Sequence, residues 1–186
     1  GWVAELQLEG NPANTLQPLV ASLLDLADLR LHDLGSVAVN LGPGSILGIR
    51  ATAAAAQAWS ALLGLQARGW SGHRAAAHVA AGTCDVVVSE ARDGRWAAQR
   101  VTADGPLGGL VEADPADFRG LRVRPLAGGF RRSLPADLGE TLDAWDDLPA
   151  LFRSRGLPGL TDQLDALNAP GAYALWSGAR HGKAGA

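Results

Sequence analysis

The stretch NLGPGSILGIR, residues 40–50, lies between a short apolar run and a long alanine-rich segment. Successive backbone N–H groups in a glycine-rich turn that leads into a helix form a concavity that binds anions. A P-loop needs a Lys followed by Ser or Thr after its second glycine, and a dinucleotide-binding loop needs three glycines at its own spacing. The stretch has neither pattern, so its residues alone favour a tight strand-to-helix connection over a phosphate site.

Hydrophobic periodicity predicts alternating helices and strands on both sides of this stretch. Apolar residues spaced three and four apart predict helices, whereas alternation or short apolar runs predict strands. The predicted helices are Thr15 to Asp28 with Asn14 as N-cap, Ile49 to Leu63, His73 to Ala81, a short one at Asp117, and Asp143 to Arg155. The predicted strands are Trp2 to Leu8, Ser36 to Val39, Cys84 to Glu90, Arg95 to Val101, Leu121 to Leu126 and Ala172 to Trp176. Asp93-Gly94 predicts a hairpin turn, and the Gly and Pro residues of Asp104 to Pro115 predict a loop.

Composition limits the classes of function. The 186 residues are 47% hydrophobic, enough for a core, and 16 basic against 19 acidic residues give a net charge of -3 without a basic stripe. Direct binding to tRNA or other nucleic acid is therefore not expected. The single cysteine, Cys84, fits a reducing compartment and a cytoplasmic protein. No run approaches the roughly 18 consecutive apolar residues of a membrane span, so contact with a membrane is not expected.

The residues give no catalytic or metal-binding constellation. The four histidines contain no His-Xaa-Xaa-Xaa-His pair and are interpreted as surface or capping residues; they are His32, His73, His78 and His181. Cys84 precedes an apolar run and is predicted to be a buried, inert thiol. Ser45 does not lie in a Gly-Xaa-Ser-Xaa-Gly pattern, and no His or Asp is placed by sequence to complete a triad with it. We therefore predict no catalytic residue, no metal and no cofactor.

The order of segments resembles the bacterial TsaB (YeaZ) family. A helix with an early proline (TLQPLVASLL), an apolar strand (SVAVN), GPGSILGIR and an alanine-rich helix follow one another. The family's usual motif is Gly-Pro-Gly-Ser-Phe-Thr-Gly-hydrophobic-Arg, and the residues that match it are Gly42, Pro43, Gly44, Ser45, Gly48 and Arg50. Ile46-Leu47 replace its Phe-Thr. EARDGRWAA resembles the family's Asp-Ala-Arg strand with Glu90 for the aspartate, and APGAYALW loosely resembles its Pro-Xaa-Tyr-Leu-Arg segment.

This resemblance implies an α/β fold of the actin-like, ribonuclease-H-like type, a mixed sheet with packing helices. It implies an N-terminal lobe over residues 1–101, a smaller divergent C-terminal lobe over 102–178 and a tail over 179–186. The family opens with an Asp-Thr-Ser strand and a second strand, where only Trp2 to Leu8 is available here. The first strands are therefore expected to be missing, which leaves open a shortened chain, a divergent paralogue, or a partner whose sheet another chain completes.

The resemblance also implies a function. TsaB is a non-catalytic scaffold and dimerisation partner of the TsaD enzyme in the synthesis of threonylcarbamoyladenosine on tRNA, so a TsaD-like partner is expected and the chain alone should not hydrolyse adenine nucleotides. Small and apolar residues of two helices predict the partner interface, and alone a symmetric homodimer through the same helices: Leu16, Leu19, Val20, Leu23, Ala54, Ala58 and Leu62. Arg50 is predicted to bind backbone carbonyls or a carboxylate and to pin the glycine turn through a buried charge-assisted bond; the alternative is an exposed arginine that faces a partner. The alternative function is a divergent glycoprotease-like hydrolase.

Overall fold

The computed structural model describes residues 4–6, 8, 10–91, 94–126, 148–156, 159–162 and 164. Its helices are α1 (Pro12–Leu26), α2 (Ile46–Leu63), α3 (Gly72–Val79) and α4 (Leu148–Arg155), with short 3-10 helices at Leu31–Asp33 and Pro115–Phe118. Its strands are β1 (Ser36–Asn40), β2 (Gln66–Trp70), β3 (Val86–Glu90), β4 (Trp96–Thr102), β5 (Gly105–Ala113) and β6 (Val123–Pro125).

The first half of the described chain is built around a parallel pair of strands. β1 and β2 pair in parallel, and α2 makes the crossover between them, as parallel neighbours require. α2 packs on both strands and on α1, and its buried residues are the small Ala53 and Ala56, which permit close approach. A T-shaped ring contact between Trp70 of β2 and Phe152 of α4, with centroids 5.2 Å apart, joins this unit to the later helix.

A second, mixed sheet holds most of the core. Its strand order is β5-β4-β3-β6, where β4 is antiparallel to both of its neighbours and β6 is parallel to β3. Both faces of β3 are buried, because α3 covers the Val87 side and the Pro115–Phe118 helix covers the side of Val86 and Val88. On that second face the rings of Trp96 and Phe118 stack, with centroids 5.7 Å apart.

Most predicted elements are confirmed with shifted ends. The observed strands β1, β3, β4 and β6 and helices α2, α3 and α4 fall on predicted segments, and a 3-10 helix replaces the short helix at Asp117. The helix predicted from Thr15 instead begins at Pro12, where a proline without an N–H group is favoured. The N-cap prediction of Asn14 is therefore wrong; its N–H donates to the Asn11 carbonyl at 2.9 Å.

Other element predictions are wrong or fall on undescribed residues. Residues 4–6 and 8 form no regular structure, so the strand from Trp2 to Leu8 is not found in its described part. The loop predicted over Asp104 to Pro115 is mostly the strand β5, and β2 was not predicted at all. Asp93 of the predicted hairpin turn, the strand at Ala172 to Trp176 and the tail at 179–186 lie outside the described residues. The predicted lobe boundary at residue 101 falls in the β4–β5 hairpin, whose two strands belong to one sheet.

α2 is long and apolar enough, by length and composition, to cross a membrane. Polar side chains interrupt the apolar residues of α2, so a search for consecutive apolar residues does not find it. One such helix is weak evidence of a membrane span, because helices of soluble proteins also meet these criteria. Only 11% of α2 is buried, namely Ala53 and Ala56, although the helix packs on α1 and on the parallel strands.

Candidate functional site

The glycine motif forms the loop between β1 and α2 and the first turn of that helix. Ser45 is the N-cap: its Oγ accepts a hydrogen bond from the Gly48 N–H at 3.0 Å, and its carbonyl accepts one from the Ile49 N–H at 2.9 Å. A Cβ added to Gly48 would lie 2.8 Å from Ser45 Oγ. The helix cap therefore explains why the motif has a serine at position 45 and a glycine at position 48.

Asn40, the last residue of β1, holds the start of the loop. Its Oδ1 accepts hydrogen bonds from the N–H groups of Gly42 at 3.0 Å and of Gly72 at 3.2 Å. The Gly72 N–H also donates to the Gly42 carbonyl at 2.7 Å. One amide side chain thus ties the glycine loop to the first residue of α3, 32 residues further along the chain.

The motif loop and α3 approach so closely that Gly72 has no room for a side chain. A Cβ at this position would lie 2.8 Å from the Gly42 carbonyl oxygen and 2.9 Å from Pro43 Cδ. Neither Asn40 nor Gly72 is predicted from the sequence to be a site residue. The only signal for them is an amide residue at the end of a predicted strand and a glycine at the start of a predicted helix.

Replacement of Gly72 by alanine should lower the free energy of unfolding by about 1–2 kcal/mol, because the backbone of the glycine loop must move away from the new methyl group. The matched control is Gly35→Ala, since a Cβ at Gly35 meets nothing within 4 Å. Denaturant titration of the two variants measures the difference. Equal stability of Gly72→Ala and Gly35→Ala would contradict the close approach.

Three backbone amides of the motif are used for its own structure. The N–H groups of Gly42, Gly48 and Ile49 all donate to Asn40 or Ser45. The hydroxyl of Thr52 donates to the carbonyls of Gly48 and Ile49, both at 3.0 Å, which adds a further local bond in the first turn of α2. These bonds support the interpretation that the motif turns the chain from strand to helix.

Arg50 lies in the first turn of α2 and is exposed. The prediction that Arg50 is buried is therefore wrong, and its exposure agrees with the alternative of an exposed arginine. Residues at i, i+4, i+8 and i+12 share one face of a helix, so Arg50 lies on the same face as Ala54, Ala58 and Leu62. All four are exposed, Leu62 at 80%.

The structure separates the predicted interface residues into two groups. Leu16, Val20 and Leu23 of α1 line a cavity of about 750 Å³ between α1, β1 and the start of α2. Leu19 is half-buried and does not line it. Ala54, Ala58 and Leu62 of α2 lie on the exposed face described above instead. Motif residues form one end of the cavity, namely Pro43, Gly44, Ser45 and Gly48.

His73 of α3 and Ser89 of β3 form a buried pair. His73 Nε2 lies 2.7 Å from Ser89 Oγ, and both residues are 2% exposed. The interpretation of the histidines as surface or capping residues is therefore wrong for His73, whereas His32 is exposed. Nothing in the sequence links two residues 16 apart in this way. Burial lowers the pKa of His73 from 6.5 to about 4, so its ring is neutral at pH 7.

The pair does not provide the arrangement of an active serine. Among the described residues His73 Nδ1 has no hydrogen-bond partner and no carboxylate orients the ring, and neither side chain reaches the surface. Cys84 is buried, as predicted, and burial raises the pKa of its thiol. Within the part of the chain that the structure describes, no three His, Cys, Asp or Glu residues come together as metal ligands. His181 lies outside that part.

A family model and two solved structures are similar to this chain. Residues 10–95, which contain the motif loop, Asn40, Gly72 and the His73–Ser89 pair, match the family model described as TsaD, tRNA N6-adenosine threonylcarbamoyltransferase. Among solved structures, YeaZ from Pseudomonas aeruginosa is similar at 19% identity with a TM-score of 0.55, over 84% of this chain and 83% of its own.

A second solved structure gives the same result. An uncharacterized protein with similarity to peptidase YEAZ from Pseudomonas aeruginosa is similar at 19% identity with a TM-score of 0.53, over 81% of this chain and 79% of its own. No curated protein matches the chain. The chain therefore shares the α/β fold of these two YeaZ-related structures, as the resemblance implied, and residues 10–95 are similar to the TsaD family.

Proposed function

We propose that this TsaB/YeaZ-like chain acts in the synthesis of threonylcarbamoyladenosine on tRNA as a non-catalytic scaffold that binds a TsaD-like subunit. The match to the TsaD family model over residues 10–95 supports the pathway. The scaffold role is supported by the chemistry of the motif: its serine caps a helix, and three of its amides, those of Gly42, Gly48 and Ile49, bond to neighbouring residues, so they hold the strand-to-helix turn in place.

The observation that carries the docking proposal is the exposed face of α2. This face, which we call the α2 face, consists of Leu47, Arg50, Ala54, Ala58 and Leu62. Leu47 is 60% exposed and Leu62 is 80% exposed, with small alanines between them. Large apolar side chains that flank small residues let a partner helix approach closely, and an exposed apolar patch of this kind is typical of an interface. Leu16, Val20 and Leu23 of α1 face the cavity instead, and we propose that α2 provides the docking surface.

Two glutamates on the α2 face should abolish complex formation. The double variant Ala54→Glu/Ala58→Glu keeps helix propensity but places two carboxylates in a contact that must lose its water, so retention by a tagged TsaD-like subunit should fall more than about tenfold. Without that partner, we propose that two copies of the chain pair through the same face, and the variant should then be monomeric by light scattering.

Ala103→Glu is the matched control, since Ala103 is an exposed alanine between β4 and β5. It should bind the TsaD-like subunit like the unmodified chain. Retention of the double variant at the level of Ala103→Glu would exclude the α2 face as the interface. Failure of the unmodified chain to bind any TsaD-like subunit from its own organism would contradict the proposed function itself.

A further inference from the structure

α1 and α2 lie side by side and run in the same direction. They begin together, because a Cβ added to Gly48 of α2 would lie 3.3 Å from Cγ of Pro12 in α1. Each helix precedes one strand of the parallel pair, and the first residues of those strands, Ser36 and Gln66, lie in register. Both helices therefore lead from the glycine loop to the same opposite end of the sheet.

The two helices carry one charged residue each, of opposite sign and at opposite ends. Asp25 is in the last turn of α1, and Arg50 is near the start of α2. Both residues are exposed. The helix dipole favours neither charge, since it prefers an anion at the start of a helix and a cation at its end. Positive charge near the glycine loop and negative charge at the far end are therefore not explained by the local stability of these helices.

This distribution of charge is complementary to its own reversed copy. The small residues of the α2 face, Ala54 and Ala58, allow the closest approach, so two copies fit best with a two-fold axis between these positions. At about 1.5 Å per residue, Arg50 lies about 9 Å before that axis along the helix. Asp25 lies about 8 Å beyond it, counted from the shared start of the two helices. Reversal about the axis therefore brings Arg50 of one copy level with Asp25 of the other.

We propose that two copies of this chain pair through the α2 face with their helices antiparallel, and that Arg50 of each copy binds Asp25 of the other. This inference rests on the proposed pairing of two copies through that face and adds its orientation. The two-fold axis forms the ion pair twice. A parallel arrangement would instead place Arg50 against Arg50 and Asp25 against Asp25, so repulsion between like charges opposes it.

Charge reversal at either position should weaken the dimer. Arg50→Glu or Asp25→Arg sets like charges against each other at both contacts, so the Kd of the dimer should rise about tenfold or more. Each substitution replaces an exposed charge by one that the helix dipole favours, so the monomer should remain folded, which circular dichroism checks. Light scattering over a dilution series from about 100 μM measures the Kd.

An equal mixture of the two variants should restore the dimer. In the mixed pair, the new carboxylate at position 50 of one copy meets the new guanidinium at position 25 of the other, and the second contact keeps the original pair of Arg50 and Asp25. The mixture should therefore dimerise about as tightly as the unmodified chain. The double variant Arg50→Glu/Asp25→Arg carries both reversals in one chain and should dimerise in the same way alone.

Arg119→Glu is the matched control, because Arg119 is an exposed arginine that follows the Pro115–Phe118 helix, outside α1 and α2. It should dimerise like the unmodified chain. An unmodified chain that is monomeric at about 100 μM overturns the proposal, as does a single variant that dimerises as tightly as that chain, or a mixture no tighter than its components. If either single variant does not fold, the double variant decides, and a monomer overturns the proposal. Since these measurements use no TsaD-like subunit, their failure leaves the proposed scaffold role untouched.

Discussion

Replacement of Asn40 by alanine should lower the free energy of unfolding by about 2–3 kcal/mol, because one side-chain oxygen satisfies two backbone donors. The buried Gly42 N–H donates to Asn40 Oδ1 at 3.0 Å and would lose this acceptor. The Gly72 N–H would keep its 2.7 Å bond to the Gly42 carbonyl but lose its second acceptor. Thermal unfolding should show a decrease of roughly 4–12 °C for a chain of this size.

Asn40→Asp separates the hydrogen bonds from the shape of the side chain. It keeps an acceptor oxygen for both N–H groups, but it replaces the weak donation from Nδ2 to the Pro43 carbonyl at 3.5 Å by a contact between two oxygens and adds a charge at a half-buried site. Its stability should therefore lie between that of Asn40→Ala and that of the unmodified chain. If Asn40→Ala and Asn40→Asp melted together, the proposed connection between the glycine loop and α3 would be wrong.

The contact between the glycine loop and α3 explains why the glycine motif can be recognised in the sequence whereas Asn40 and Gly72, which hold it in place, cannot. Gly42, Ser45 and Gly48 act on neighbours within four residues, so their spacing along the chain is readable as a helix cap after a turn. Asn40 and Gly72 meet only because β1 and β2 are parallel and bring α3 back to the loop. A contact between residues 32 apart in the chain leaves no pattern in the local sequence that would predict it.

β2 and β5 are strands that the local sequence does not predict. β2 has the sequence QARGW and lacks an apolar run, because only the Gly69 position in it is buried. β5 contains Gly and Pro residues that are typical of a loop, yet it pairs with β4 across a register shift next to Gln99. The buried Gln99 side chain donates to the Leu107 carbonyl at 2.9 Å, which satisfies the backbone where the regular ladder is interrupted. Long-range pairing thus overrides local propensity in both strands.

The buried histidine gives this protein an acid sensitivity that the sequence did not predict. His73 is 2% exposed and bonds Ser89 Oγ through Nε2, and burial lowers the pKa of His73 from 6.5 to about 4. The unfolded chain therefore binds a proton at a higher pH than the folded chain does. Because the unfolded state holds more protons between these two values, stability must fall as the pH decreases through this window.

The free energy of unfolding should fall by about 3 kcal/mol between pH 7 and pH 4 because of His73, since each unit of pKa difference corresponds to about 1.4 kcal/mol. His73→Gln keeps an amide near the Nε2 position but cannot take up the proton, so its stability should be lower at pH 7 and should change less on acidification. His32→Gln is the control, because His32 is exposed and its removal should leave the slope unchanged. Urea unfolding at half-unit steps of pH measures all three chains. Parallel stability curves for the unmodified chain and His73→Gln from pH 7 to pH 4 would contradict a neutral, buried His73.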